Sequence, residues 1–165
     1  MNFKKKILIV GGTGFIGYHL AKKSLKKGWQ VTSVSLKPPI KIRYLSKVKY
    51  IICNTTKKKS LEKKIKKNFD YVVNLSSYID HSDKKKIFKN HYIGCKNLVE
   101  TFIKKRPTAF IQMGSGLEYG KIRSPQKESA RCNPKLIKSI YARAKLLSSI
   151  YLMNLYKKKI FPLQF

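Results

Sequence analysis

The stretch VGGTGFIG, at residues 10–17, limits what this chain can fold into more than any other feature of its sequence. An uninterrupted apolar run, KILIV, ends in it, and an amphipathic stretch typical of a helix begins in it. Gly11, Gly14 and Gly17 recur at every third position. Gly11 permits a tight turn, and Gly17 permits a helix to pack closely on a strand. The stretch therefore predicts a strand–turn–helix unit that opens a parallel α/β sheet.

The same turn predicts a binding site for a dinucleotide. Gly14 leaves room for a diphosphate to approach the backbone, and the free amides at the helix start, with the helix dipole behind them, hold its charge. Glycine spacing alone is a weak signal, but its position between a predicted strand and a predicted helix strengthens it. A turn with a purely structural role is the alternative.

Short β-rich runs alternate with longer helical stretches along the rest of the chain. Nearly continuous apolar strands that alternate with helices predict a doubly wound parallel sheet, the Rossmann fold, in one domain over residues 1–165. We predict about six strands, at 6–10, 29–36, 48–53, 69–77, 108–115 and 160–165. The predicted helices span 15–28, 60–67, 83–104 and 134–158.

The chain is strongly basic, with 38 Lys and Arg against 7 Asp and Glu, a formal charge of +31. A nucleic-acid-binding protein is therefore one candidate class. Two observations weaken it: arginine, the better bidentate phosphate ligand, is scarce, and the lysine triplets are scattered. We expect solvated lysine faces rather than a nucleic-acid surface. The triplets are Lys4–Lys6, Lys57–Lys59, Lys84–Lys86 and Lys157–Lys159.

The three cysteines, Cys53, Cys95 and Cys132, are odd in number and too far apart for metal-ligand spacing. They are typical of reduced thiols, so we expect a cytoplasmic protein without a metal site. No apolar run approaches the ~20 residues of a membrane span. The N-terminal apolar run is too short for a secretory signal, and no small-residue cleavage site follows it.

Three residues in the second half of the chain have the chemistry of a catalytic site. Tyr141 and Lys145, in SIYARAK, are four residues apart and share one face of the predicted helix. Ser115 ends the predicted fifth strand, where a doubly wound sheet places its ligand crevice. A free tyrosine has a pKa of about 10, so a tyrosine that exchanges protons near neutral pH needs a neighbouring cation. We predict that Tyr141 exchanges the proton, Ser115 holds the reacting oxygen and Lys145 supplies the charge and binds the nicotinamide ribose.

With these motifs in order, the chain resembles the N-terminal part of the extended short-chain dehydrogenase/reductases, the NAD(P)-dependent epimerase/dehydratase family acting on nucleotide sugars. GGTGFIG resembles the family's cofactor loop, and FDYVVNLSS resembles its fourth strand. GCKNLVE resembles G-T-x-N-L-L-E, MGSGLEYG resembles S-S-x-x-x-Y-G, and YARAK supplies Y-x-x-x-K. The likeness covers essentially all 165 residues.

The resemblance implies an NAD(P)-dependent epimerase, dehydratase or reductase, with Ser115, Tyr141 and Lys145 as its triad. It also allows a homodimer and places Tyr119 and Glu128 at common family positions, as structural or active-site-loop residues. The expected cofactor site comprises Gly11, Thr13, Gly14, Phe15, Ile16, Gly17, Lys37, Asn54, Ser76, Ser77, His91 and Lys145.

Three departures from the family pattern concern the cofactor. The acid that NAD-selective sites place after the second strand is absent, and Lys37 stands there instead. The cofactor is therefore NAD or NADP, with NADP modestly favoured through a 2′-phosphate contact; a solvated Lys37 is the alternative. Asn54 replaces the family's Asp and is expected to accept a hydrogen bond from adenine. His91 replaces an Asn, either as a donor or as a helix-surface histidine.

The family typically continues with a seventh strand and a smaller domain that clamps the nucleotide sugar. We therefore expect this chain to be a truncated product or a fragment that binds cofactor but is poorly active alone. A non-catalytic dinucleotide-binding module is the second candidate, and a basic nucleic-acid-binding protein is the third.

Overall fold

The computed structural model describes residues 4–78, 80, 82–130 and 132–162. Within them, five parallel strands form one sheet in the order β3-β2-β1-β4-β5. The strands are β1 (Lys6–Val10), β2 (Gln30–Ser35), β3 (Val48–Ile52), β4 (Tyr71–Asn74) and β5 (Ala109–Gln112). The helices are α1 (Phe15–Lys26), α2 (Lys58–Lys64), α3 (Lys84–Phe88), α4 (Gly94–Phe102) and α5 (Ile140–Lys157). The predicted doubly wound parallel fold is confirmed.

The central strand β1 determines where a ligand crevice opens. It pairs with β2 on one side and with β4 on the other, so that Val10 lies opposite both Val34 and Asn74. The chain first adds strands on one side of β1 and then crosses to the other. In such sheets the crevice lies beyond the carboxyl ends of the strands at this switch point. The glycine turn leaves β1 at this place.

Apolar residues that alternate along β1 fill two separate cores. Leu8 and Val10 point into the larger core, which α4 and α5 cover with side chains such as Phe102 and Leu152. Ile7 and Ile9 point into the opposite core, which α1 covers through Ala21. Burying the apolar side chains on both faces is the main stabilising contribution to the sheet.

The glycines of the first turn are required by its geometry. Gly11 has φ +82°, and its amide donates to the carbonyl oxygen of Val34 at 2.7 Å. A Cβ on Gly17 would lie 2.4 Å from the carbonyl oxygen of Gly11 and 2.5 Å from Cα of Gly12. Neither position therefore accepts a side chain without movement of the turn, as the sequence predicts.

Two predicted elements differ from the structure at the end of the chain. The long helix predicted from Pro134 begins at Ile140, because Ser139 caps it by accepting from the amide of Ala142 at 3.3 Å. Pro134 instead opens a short 3₁₀ turn that ends at Leu136. The predicted sixth strand is not formed at residues 160–162, and 163–165 lie outside the described residues.

The predicted helix over residues 83–104 forms in three pieces. A π-helical turn, Lys89–Ile93, separates α3 from α4 and buries His91. Such turns insert an extra residue per turn and often lie at functional sites. Here the turn contacts α5, the helix that carries Tyr141 and Lys145.

The lysine triplets are exposed at all twelve positions, as solvated lysine faces require. They lie in four separate parts of the fold: before β1, at the start of α2, at the start of α3 and at the end of α5. None of the helices in the described part of the chain is both long and apolar enough to cross a membrane.

Substitution Gly17→Ala should destabilise the domain by about 1–3 kcal/mol, because the added methyl forces α1 away from the turn. The free energy of unfolding from urea titrations measures this change. Gly116→Ala is the matched control, since nothing lies within 4 Å of its added Cβ. Equal stability of the two variants would contradict the close packing of α1.

Candidate functional site

A cleft of about 500 Å³ opens at the carboxyl ends of β1, β2 and β4. The glycine turn forms one wall, and the residues after β2 and β4 form the others. Of the predicted cofactor residues, Gly11, Thr13, Gly14, Lys37, Ser76 and Ser77 line it. No carboxylate stands among the lining residues that the structure describes.

The first turn of α1 begins at the cleft, and no side chain caps its backbone amides in the structure. Gly14 is the N-cap residue, and no side-chain hydrogen bond caps this helix in the structure. The side chains of Phe15 and Ile16 are 65% and 55% exposed. The amide of Thr13 donates to Ser35 Oγ at 3.3 Å, which fixes the turn on the end of β2. An uncapped helix start beside an exposed glycine fits a diphosphate.

A polar chain connects the ends of β4 and β5 below the cleft. Asn74 Nδ2 donates to Gln112 Oε1 at 2.7 Å, and Asn74 Oδ1 accepts from the hydroxyl and amide of Ser76 at 2.6 and 3.2 Å. These bonds hold Ser76 at the cleft wall. Asn54 lies at the end of β3, where its Oδ1 accepts from the amide and hydroxyl of Thr56 at 2.9 and 2.8 Å. That Asn54 accepts a hydrogen bond from adenine stays a prediction, and the adenine would share Oδ1 with Thr56.

Lys145 is the most buried of the three predicted catalytic residues, at 3% exposed. Its Nζ donates to the carbonyl oxygen of Met113, just after β5, at 2.7 Å. The same Nζ lies 6.0 Å from the ring centroid of Tyr141, one turn earlier on α5. The predicted shared helix face is therefore formed, and it lies against the end of β5.

The pKa of Lys145 reflects this burial. Loss of solvent lowers the pKa of the amine, while the negative charge of Glu118 and the nearby Cys95 thiol act in the opposite direction. Burial raises the pKa of Cys95 to about 12, so the thiol remains neutral at physiological pH. Glu118 is therefore the anionic partner that favours the charged form of Lys145.

Ser115 lies where the chain leaves β5 and caps a 3₁₀ turn, Gly116–Tyr119. Its Oγ accepts from the amide of Leu117 at 3.3 Å. Glu118 completes a capping box, since its Oε1 accepts from the amide of Ser115 at 2.8 Å. Its Oε2 accepts from the hydroxyl of Ser149 on α5 at 2.7 Å. Glu118 is not among the residues predicted from the sequence, although the spacing S-x-x-E is a capping-box signal.

His91 is buried at 3% exposed, so the alternative of a helix-surface histidine is wrong. The π-helical turn directs it inward, because the extra residue rotates the helix face that carries it. Its Nε2 lies 3.3 Å from both the amide nitrogen and the carbonyl oxygen of Tyr78. Its ring meets the ring of Tyr141 edge-on, with centroids 4.8 Å apart. His91 therefore connects the segment after β4 with the helix that carries Tyr141.

A second cavity, of about 780 Å³, lies on the other side of the Ser115 turn. Ser115, Tyr119 and Glu128 line it together with one face of α5. The structure brings Lys145 to the end of β5 with Tyr141 beside it, and Ser115 follows Met113 by two residues. Ser115 lines this second cavity, the glycine turn and Lys37 line the first cleft, and Tyr141 and Lys145 are among the lining residues of neither. Among the described residues, no group of three or more His, Cys, Asp and Glu side chains is arranged to hold a metal ion.

A family model, the NAD dependent epimerase/dehydratase family, matches residues 7–162. The chain belongs to this family. The match includes the glycine turn, the Ser115 turn and the Tyr141–Lys145 pair. No curated protein sequence matched the chain.

Solved structures of similar fold include two UDP-sugar 4-epimerases and the enzyme WbmH. The UDP-glucose 4-epimerase of Thermotoga maritima, with UDP-glucose, gives a TM-score of 0.85 at 23% identity, covering 96% of this chain and 53% of that one. The Campylobacter jejuni UDP-Glc/GlcNAc 4-epimerase gives a TM-score of 0.84 at 23% identity, and the match covers 96% of this chain and 51% of that one. Bordetella bronchiseptica WbmH, in complex with NAD+, gives a TM-score of 0.82 at 23% identity, and the match covers 92% of this chain and 53% of that one. The chain thus spans about half the length of each of these proteins.

Proposed function

We propose that residues 1–165 form the cofactor-binding half of an epimerase, dehydratase or reductase that acts on a nucleotide sugar. The observation that carries this proposal is the buried amine of Lys145, held at the end of β5 and 6.0 Å from the ring of Tyr141. Burying a charged lysine amine costs free energy, and a neutral donor could make the same single hydrogen bond to Met113 without that cost. The positive charge of Lys145 beside the Tyr141 phenol would instead favour the phenolate form, which proton transfer requires.

The residues of the cleft fit a nicotinamide dinucleotide. The uncapped amides at the start of α1 would hold the diphosphate, and the absence of a Gly14 side chain would let it approach. Ser76 and Ser77 would line the route from the diphosphate to the end of β5. Structures of similar fold contain NAD, among them WbmH and the Thermus thermophilus UDP-glucose 4-epimerase.

The chemistry is divided between the cofactor and the side chains. When bound, the nicotinamide supplies a hydride acceptor or donor. Tyr141 would take a proton from a substrate hydroxyl or return one to a carbonyl. The ammonium of Lys145 would favour the phenolate form of that tyrosine, and Ser115 would hold the reacting oxygen. Lys145 would also contact the nicotinamide ribose.

A nucleotide sugar is the proposed substrate because the Thermotoga maritima structure contains UDP-glucose and several other similar structures are UDP-sugar epimerases. Contacts to parts of the substrate away from the reacting carbon usually position that carbon. The chain spans about half of those enzymes, so we expect slow turnover by residues 1–165 alone. The proposed enzyme is cytoplasmic, in keeping with its free cysteines, and a homodimer follows from the family resemblance.

Isothermal titration with NADH and NADPH tests the cofactor site directly. Gly14→Val should weaken binding of the preferred dinucleotide at least tenfold, about 1.4 kcal/mol, because the side chain fills the path of the diphosphate. The fold should persist, since a Cβ at this glycine meets only the carbonyl oxygen of Gly11, at 3.3 Å. Equal affinity of Gly14→Val and the unmodified chain would place the dinucleotide elsewhere.

Tyr141→Phe separates the enzyme from a non-catalytic dinucleotide-binding module. The variant should bind NADH within about threefold of the unmodified chain, because only a hydroxyl is lost. Prolonged incubation at high protein concentration with NAD+ and UDP-glucose, analysed by chromatography, should give slow conversion that the variant lowers by about 10²–10⁴-fold. Binding without any conversion by either protein would favour the non-catalytic module.

We also propose that the cofactor site prefers NADP over NAD. Lys37 lines the cleft just after β2, and no carboxylate stands among the described lining residues to repel a 2′-phosphate. Arg43 adds a second cation nearby, with its guanidinium carbon 5.8 Å from the ring centroid of Phe15. A lysine at the ribose end of the cleft would pair with the additional phosphate.

Lys37→Glu should lower the affinity for NADPH at least tenfold and leave the affinity for NADH within about threefold, because only NADPH carries the 2′-phosphate. Titrations followed by the fluorescence of the reduced nicotinamide measure both. Lys26→Glu is the control: it makes the same charge change at an exposed position in the last turn of α1. A similar loss for both dinucleotides in the Lys37 variant would contradict 2′-phosphate recognition.

A further inference from the structure

Glu118 joins the two elements that carry the proposed triad. Its Oε1 accepts from the amide of Ser115 at 2.8 Å, and its Oε2 accepts from the hydroxyl of Ser149 at 2.7 Å. Ser149 lies one turn beyond Lys145 on α5, so one carboxylate contacts both the Ser115 turn and the helix of Tyr141 and Lys145.

Helix capping explains only half of these contacts. The Gly116–Tyr119 turn requires the Oε1 contact with Ser115, which the capping box supplies. The Oε2 contact reaches across 31 residues to α5 and adds nothing to the cap. The carboxylate is also closely packed, since a Cβ on Gly114 would lie 3.0 Å from Oε1. The position of Glu118 is therefore set by both elements at once.

The burial of Glu118 points to a role for its charge. It is 9% exposed, and it is one of only 7 acidic residues in the chain. A buried carboxylate is stable only when hydrogen bonds or an opposite charge compensate it. Its two hydrogen-bond donors are neutral groups, and its negative charge acts on the nearby Lys145 ammonium.

We propose that Glu118 is a positioning residue of the triad, which holds Ser115 in register with Tyr141 and Lys145 and supplies the negative charge that balances Lys145. The effect of Glu118 on catalysis rests on the proposed function, whereas its contacts with Ser115 and Ser149 are present whether or not that function is correct. It predicts two separable effects, one on the geometry of the turn and one on the charge of the amine.

The charged and titratable groups around Lys145 come from three elements. Glu118 faces it from the 3₁₀ turn and Cys95 from α4, while Tyr141 lies one turn away on α5 itself. Cys95 remains a neutral thiol, because burial raises its pKa to about 12. Removing the charge of Glu118 should therefore lower the pKa of Lys145, since burial then acts with less opposition.

The matched variants are Glu118→Gln and Glu118→Ala. Glutamine retains an oxygen that accepts from the Ser115 amide, and its amide group can donate to the Ser149 hydroxyl, so only the charge is lost. Alanine loses the charge and both hydrogen bonds. Glu62→Gln, at an exposed position on α2, makes the same charge change away from the site.

Acetylation of lysine by acetic anhydride, measured between pH 7 and 11, reports the neutral fraction of each amine. Chymotryptic cleavage after Tyr141 and Leu146 gives the segment ARAKL, in which Lys145 is the one lysine. In Glu118→Gln, the pH at which Lys145 is acetylated at half its maximal rate should decrease. At pH values below the original midpoint, Lys145 should be acetylated severalfold faster. In Glu62→Gln, Lys145 should behave as in the unmodified chain. An unchanged Lys145 midpoint in Glu118→Gln would overturn the charge role.

Amide hydrogen exchange measures the geometric role in the same proteins. Exchange across residues 115–119 should accelerate at least tenfold in Glu118→Ala and much less in Glu118→Gln. Equal exchange in Glu118→Ala and the unmodified chain would overturn the positioning role. If Glu118→Ala does not fold, Ser149→Ala, which removes only the Oε2 contact, replaces it, and exchange equal to that of the unmodified chain would again overturn the role. Both readouts use the chain without cofactor, so a failure of dinucleotide binding would refute the proposed function alone.

Discussion

The hydrogen bond from Lys145 Nζ to the carbonyl oxygen of Met113 is the interaction on which the site depends. It anchors α5 on the carboxyl end of β5, and it holds a basic group in a place where solvent has been removed. Around that bond the structure arranges Tyr141 on the same helix and the Ser115 turn directly after the strand. The edge-on contact of the His91 ring with Tyr141 and the hydrogen bond from Ser149 to Glu118 hold the same helix in place.

The second constraint is the contact of α1 with the glycine turn. Gly17 lets α1 pack closely on the turn, since a Cβ there would lie 2.4 Å from the carbonyl oxygen of Gly11, and Gly14 at the start of the helix lines the cleft. Parallel strands bring their carboxyl ends to one edge of the sheet, so the glycine turn after β1 and the Met113 carbonyl that binds Lys145 after β5 lie at the same edge. The proposed diphosphate-binding turn and the proposed proton-transfer pair therefore lie at one edge of the sheet, as the dinucleotide-dependent enzyme proposed above requires.

Most strands and the glycine turn were predictable because they depend on residues that are close together in the sequence. The apolar runs placed all five observed strands within a few residues, and the glycine spacing identified the turn after β1. The Y-x-x-x-K spacing placed Tyr141 and Lys145 on one helix face. The start of α5 was less predictable, since Asn133–Pro134 and Ser139 are both start signals and only packing decides which opens the α-helix.

Other features depend on contacts that a linear pattern does not contain. The burial of His91 follows from a π-helical turn packed against α5, and no periodicity at residues 83–104 signals the inserted residue. Glu118 contacts Ser149, 31 residues away, so only its cap contact was within reach of sequence reasoning. The predicted sixth strand would have needed pairing with β5, and residues 160–162 do not form it.

A crystal structure of this chain grown with saturating NADPH or NAD+ tests the central claim most directly. We expect the diphosphate on the amides that open α1, and the hydroxyls of the nicotinamide ribose within hydrogen-bond distance of Tyr141 and Lys145. A dinucleotide bound away from the glycine turn, or one whose nicotinamide points away from Tyr141, would contradict the account.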